Sequence, residues 1–148
     1  MNITIRQTTA EDLHDITALM QEYIGGFYKK PLPATEQLHH LIRTMAAGQQ
    51  GVQFILEQDG KAAGFATLYF LFSSMKAAPI TNMNDLYVAE HLRDTEAEQQ
   101  LFDACLAYTR DHDFAHMAWV AAPDNVRAQQ FFERNGCSLV PWVDYVIQ

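Results

Sequence analysis

The dipeptide Asp59-Gly60 lies between two apolar runs, Val52 to Glu57 and Ala62 to Ser74. An Asp-Gly pair readily adopts the positive φ angles of a two-residue hairpin turn, and flanking apolar runs pair as its strands. The middle of the chain is thereby committed to an antiparallel sheet. A further strand from about Ile80 to Val88 carries apolar residues at Ile80, Met83, Leu86 and Val88, so the parity changes midway. Side chains alternate between the faces of a strand, and a change of parity marks a bulge.

The remaining segments can be read around that sheet. Ile3 and Ile5 alternate with polar residues as a first strand would, and Thr9 with Asp12 resembles an acidic capping box. Leu13, Ile16, Leu19, Met20, Tyr23, Ile24 and Phe27 recur at helical spacing until Gly25-Gly26 loosens the end. Thr35 is expected to cap a second helix, with Leu38, Leu41, Ile42 and Met45 on one face and Gly48 at its end. Leu101, Phe102, Cys105, Leu106 and Tyr108 describe a third helix. Phe114 to Ala121 reads as a strand buried on both faces. Pro123-Asp124 opens a fourth helix ended by Gly136, and Leu139 to Ile147 supplies final strands interrupted by Pro141. The order β-α-α-β-β-β-α-β-α-β-β describes a single mixed α/β domain over residues 1–148.

One junction stands out. Asn84-Asp85-Leu86-Tyr87-Val88 reads as a strand that runs through Ala89 to Asp94 into a helix beginning near Thr95. Such a strand-to-helix turn is a common anion seat, because backbone N–H groups and the helix dipole point outward there. This one has no glycine, and four carboxylates lie between Glu90 and Glu98.

The order of elements and three segments resemble the GNAT superfamily of acyl-CoA-dependent N-acyltransferases. The segments are Gly64-Phe65-Ala66 to Ser74, Asp85-Leu86-Tyr87-Val88, and Asn125 to Gly136, the last close to the family's Asn-x-x-Ala-x-x-Phe-Tyr-x-x-x-Gly pattern. The flavour is nearest to the branch that acetylates polyamines and other small amines. The resemblance implies a mostly antiparallel sheet splayed between strands 4 and 5, acetyl-CoA as co-substrate, and direct transfer to a primary amine. By it, Leu86, Tyr87 and Val88 line the pantetheine arm, and Arg93, Asp94, Thr95, Glu96, Ala97 and Glu98 meet the pyrophosphate. Asn125, Ala128 and Phe131 lie alongside the cofactor. Tyr23, Phe27 and Tyr28 flank the substrate mouth, with core packing the plainer reading for Tyr23 and Phe27, and homodimers formed through terminal strands are a further expectation.

Three departures bear on chemistry. Glu96 and Glu98 occupy the loop's small-residue positions. Two unit charges ~5 Å apart repel by roughly 3 kcal/mol at an effective dielectric of about 20, and less if they rotate into water. Thr95-Glu96-Ala97-Glu98 also fits a capping box, in which Glu98 would accept the Thr95 N–H and Thr95 the Glu98 N–H, filling the anion site internally. An ordinary acidic helix start is the plainer reading. Second, Asn84 stands where the polyamine branch has a glutamate, which leaves Asp85, or a water it polarises, as the candidate general base and amine contact, with an acid that only maintains the fold as the plainer reading of Asp85. Third, Phe132 replaces the tyrosine that protonates the leaving thiolate, leaving Tyr69, Tyr87 and Tyr145 as candidates, each also readable as a packing residue.

The formal charge of −8 argues against a nucleic-acid surface and favours cationic partners. No Cys/His spacing resembles a zinc site, and Cys105 and Cys137 read as reduced thiols in a cytoplasmic protein. No stretch has the length of a membrane span. Two readings follow: an N-acetyltransferase of a small amine, or a degenerate member of the same fold acting as a binding or assembly module.

Overall fold

The computed structural model describes all 148 residues. Five strands lie in the order β1-β2-β3-β4-β5, with β1 Ile3–Gln7, β2 Gly51–Gln58, β3 Lys61–Ser73, β4 Ala78–Val88 and β5 Met117–Ala118. The first four pair antiparallel and β5 joins β4 in parallel. Asp59 and Gly60 both take positive φ, 51° and 81°, as the hairpin turn between β2 and β3 requires. Helices α1 (Leu13–Gln21) and α2 (Thr35–Ala47) cover one face; α3 (Glu96–Asp111) and α4 (Val126–Arg134) pack toward the other.

The parity change in β4 is a bulge. Thr67 pairs with Asp85 and Leu68 with Met83, so Asn84 is the extra residue. Before it, Thr81 and Met83 face α3, with the Thr81 and Thr109 hydroxyls 2.7 Å apart. After it, Leu86 and Val88 face that side, while Asp85 and Tyr87 turn toward α1. Gly64 makes the close approach of β3 possible, since a Cβ there would come within 2.8 Å of the Tyr87 carbonyl oxygen.

β4 pairs with β5 only at Thr81↔Met117 and Asn82↔Ala118. From Met83 to Val88 its outer edge has no strand partner, which is the expected splay. The wider strand expected over Phe114 to Ala121 shrinks to those two residues, because only β4 flanks it, and Val120 is 77% exposed. The final strands expected from Leu139 to Ile147 do not form. So short a β5 offers no ladder to extend, and no backbone hydrogen bond ties residues 138–148 to the rest of the chain. Two helix starts also shift. Ala34 rather than Thr35 caps α2, with the Gln37 side chain accepting the Ala34 N–H at 3.3 Å. Asn125 caps α4, two residues beyond Pro123, by accepting the Ala128 N–H at 3.3 Å.

Candidate active site at the splayed strand edge

Past α1 the chain makes one wide turn, Glu22–Phe27, closed by a Tyr28 N–H to Tyr23 carbonyl bond. Such π turns recur at functional sites because they displace side chains from helical register. Here the turn gathers Tyr23, Phe27 and Tyr28 against Tyr87 of β4, with ring centroids 5.0 to 6.3 Å apart. Leu86 and Val88 continue the wall, and Asn125, Ala128, Phe131 and Phe132 close it from α4. Arg93, Glu98 and Arg127 complete the lining. The enclosed free space is about 30 Å³, against ~300 Å³ for the smallest ordinary ligand pockets.

Behind the aromatic wall lies a row of buried polar groups. Gln53, Thr67 and Asp85 are register neighbours across β2, β3 and β4, and they are 0%, 0% and 7% exposed. Gln53 donates to the Thr67 hydroxyl at 3.1 Å, and Asn84 donates to Asp85 at 3.2 Å. Burial pushes the Asp85 carboxyl above its ordinary pKa, and hydrogen-bonding from Thr67, Tyr23 and Asn84 only partly opposes this. Of those three, Asn84 alone meets Asp85 at full hydrogen-bond geometry. Burial and the neighbouring Asp85 charge raise the Tyr23 phenol, and the same two causes push Tyr69 up to about 12. A carboxyl with raised affinity for a proton, next to phenols that keep theirs, is suited to accept one.

Tyr87 donates to Glu22 at 3.3 Å and stays protonated, because burial and Glu22 outweigh the opposing effect of Arg93. Tyr145, another phenol weighed as an acid, is 93% exposed in the tail and away from the cavity. Arg93 turns inward. Its Nε donates to the Val88 carbonyl at 3.3 Å, and its guanidinium lies 4.9 Å from the Phe27 ring centre and 5.7 Å from that of Tyr87. An arginine stacked on aromatic faces is held by the ring quadrupole.

The acidic loop divides its two glutamates. Glu96 is exposed, so its charge escapes into water. Glu98 is 2% exposed and cannot. Its carboxylate accepts two bonds from Arg127, 2.8 and 2.9 Å, and one from the Asp94 N–H at 3.0 Å. The expected capping box is therefore shifted by one residue: Glu98 reaches Asp94 rather than Thr95, and Thr95 Oγ accepts the Ala97 N–H at 3.3 Å. The Thr95 N–H goes instead to the Leu92 carbonyl. Asp94 takes φ 59°, a left-handed conformation that aspartate tolerates better than most residues. It accepts from Arg127 at 3.1 Å and Arg134 at 2.8 Å. Burial works against the Arg127 charge, but Glu98 and Asp94 outweigh it and raise its pKa.

With this geometry in view, residues 14–137 match the family model described as Acetyltransferase (GNAT) family. The chain belongs to that family. An uncharacterized N-acetyltransferase of Bacillus subtilis (strain 168), YhfO, is 27% identical over 134 residues, which span 90% of this chain and 89% of that protein. Among solved structures, a probable acetyltransferase superposes with a TM-score of 0.85 at 25% identity, covering 98% of this chain and 97% of its own. The aminoglycoside N-acetyltransferase AAC(6′)-Iy in complex with CoA has a TM-score of 0.84 over 99% of this chain and 95% of its own, at 19% identity. GNAT acetyltransferases use acetyl-CoA as donor.

Against that membership, most of the residues singled out by sequence do converge. Leu86, Tyr87, Val88, Arg93, Glu98, Asn125, Ala128, Phe131 and Tyr28 all line the one cavity. Asp94, Thr95, Glu96 and Ala97 do not line it: they form the turn into α3, where Ala97 is buried in the core, and Asp85 lies beside Tyr23. Sequence reasoning missed Glu22 and above all Arg127. Arg127 stood inside the Asn-x-x-Ala segment as an unconstrained position, and a basic residue there opposite an acidic loop was the available signal.

Proposed function

We propose that this protein is an N-acetyltransferase that moves an acetyl group from a thioester donor, acetyl-CoA in the family's usual chemistry, directly to a primary amine of a small molecule. The observation that carries this reading is Asp85, a buried carboxyl of raised proton affinity beside an aromatic chamber and an unpaired strand edge. Amines arrive as ammonium ions. The chamber's aromatic faces and Glu22 attract such a cation, and the stacking of Arg93 there supports that chemistry.

Asp85 takes one ammonium proton, directly or through a water, and frees the nitrogen lone pair. The nitrogen bonds to the thioester carbonyl carbon, the C–S bond breaks with its electron pair on sulfur, and the second amine proton neutralises the thiolate through the Tyr87 hydroxyl. Tyr28 borders the acceptor. A homodimer belongs to this reading, because Leu139, Trp142, Tyr145 and Ile147 are exposed on a tail with no hydrogen-bonded partner of its own. Light scattering of the full chain tests that part.

The test of the chemistry is thiol release from acetyl-CoA across a panel of primary amines and polyamines. Asp85→Asn is expected to lower kcat/KM by ~10²–10⁴-fold, the usual worth of a general base, while the fold melts no earlier. Undiminished turnover in that variant would refute the assignment.

A second reading has its own observation. The small free space of the cavity and the Glu98–Arg127 pair favour a degenerate member that serves as a binding or assembly module. No melting shift at millimolar acetyl-CoA or acetyl-pantetheine would decide for it.

A further inference from the structure

The start of α3 is where a strand-to-helix turn offers donors to an anion; in this chain the Glu96 and Glu98 N–H groups have no acceptor, but three neighbouring donors are already bonded. The Asp94 N–H goes to Glu98, the Thr95 N–H to Leu92 and the Ala97 N–H to Thr95. The nearest cations are spent as well. Both terminal nitrogens of Arg127 bind Glu98, one also binds Asp94, and Arg134 binds Asp94. Two carboxylates face two guanidiniums, so the cluster is neutral and has no surplus positive charge for a diphosphate. Arg93 is withdrawn onto Phe27 and Tyr87. Glu98 cannot swing into water as Glu96 does, because its side chain is only 3% exposed.

The other half of the donor seat remains. The edge of β4 from Met83 to Val88 is free of strand pairing, and Asn125 and Ala128 border it from α4. A chain of amides such as pantetheine recognises an open strand edge by backbone pairing. The residues therefore fit the arm of the donor and do not fit its diphosphate.

We infer that the Glu98 carboxylate, gripped by Arg127, is an internal occupant of the anion seat, so that this site recognises an acyl-pantetheine thioester and gains little from a nucleotide diphosphate. The inference rests on the transferase reading for its choice of donor. Glu98 and Arg127 act here as specificity determinants rather than catalytic groups. They decide which donors profit from the α3 start.

The experiment is calorimetric titration of the full chain with acetyl-pantetheine and with acetyl-CoA. The wild type is expected to bind the two with affinities less than tenfold apart, and Glu98→Ala to shift that ratio at least tenfold toward acetyl-CoA. A wild-type preference of tenfold or more for acetyl-CoA would overturn the inference and leave the transferase reading standing. So would an unchanged ratio in a folded Glu98→Ala protein. Binding of neither donor removes both readings. Circular dichroism checks the variant's fold; if it is unfolded, the wild-type ratio decides.

Discussion

Two loop-to-helix junctions of this molecule are built from the same parts. Before α1, Asp12 is 5% exposed, is gripped by both terminal nitrogens of Arg6 at 2.8 Å, and accepts the Thr9 N–H at 2.8 Å. Thr9 Oγ in turn accepts the Glu11 N–H. Before α3, Glu98, Arg127, Asp94 and Thr95 repeat the arrangement almost bond for bond. Glu98 is one methylene longer than Asp12 and reaches one residue further back. The first junction lies at the sheet's β1 end, the second borders the cavity. What separates structure from function here is position alone: one device seals a helix start, and its copy closes an anion seat in the same act.

The largest expected effect tests whether the two clamps are equivalent. Arg6→Ala and Arg127→Ala each leave a buried carboxylate without its cation, and each is expected to cost about 3 kcal/mol in urea unfolding. A loss confined to one variant would break the parallel. A smaller effect separates the first clamp from Asp85. Hydrogen bonding from Arg6 leads the causes that hold the Asp12 carboxyl below its ordinary pKa, against burial. Its stabilisation is therefore full above the unfolded value near ~4 and is lost as pH falls through the lowered native value. Asp85 has the opposite sign: its raised native value means stability declines as pH rises from ~4 through that value. Denaturant midpoints against pH should show a flattened acid limb for Asp12→Asn, and for Asp85→Asn a protein more stable than the wild type at pH 8.

The smallest effect concerns Asp94. Glycine there relieves the positive φ but removes two exposed ion pairs, and these offset to within about 0.5 kcal/mol by thermal melting. A clear loss would show that Asp94 carries more of the second clamp than its exposure implies.

Local chemistry was legible wherever it acts between near neighbours. The Asp59-Gly60 turn, the Thr9–Asp12 capping box and the β4 bulge follow from turn geometry, side-chain reach and parity within a few residues, and all three are present. The burial of Cys105 followed from helical register in the same way. Features that need a partner distant in the chain were not legible. Phe114 to Ala121 is as apolar as a buried strand, but apolarity cannot supply a second neighbouring strand. Leu139 to Ile147 fails for the same reason. Arg127 stands 29 residues from Glu98, and only the packing of α4 beside α3 makes them a pair. The acidic loop could be recognised as altered; that one glutamate would point out and the other in could not.

The single extra residue in β4 has an evolutionary consequence. Asn84 works as a phase change within one strand, so neighbouring positions answer to different selective pressures. Variation at Thr81 and Met83 retunes how α3 is seated without turning Asp85 out of its chamber. Deletion of one residue there would do what few point substitutions can. It would carry Asp85 into the α3-side core and Leu86 into the aromatic chamber, exchanging the roles of two half-sites at once. Substitutions on one side of Asn84 can therefore change one half-site alone, whereas a change in the register of that strand changes both.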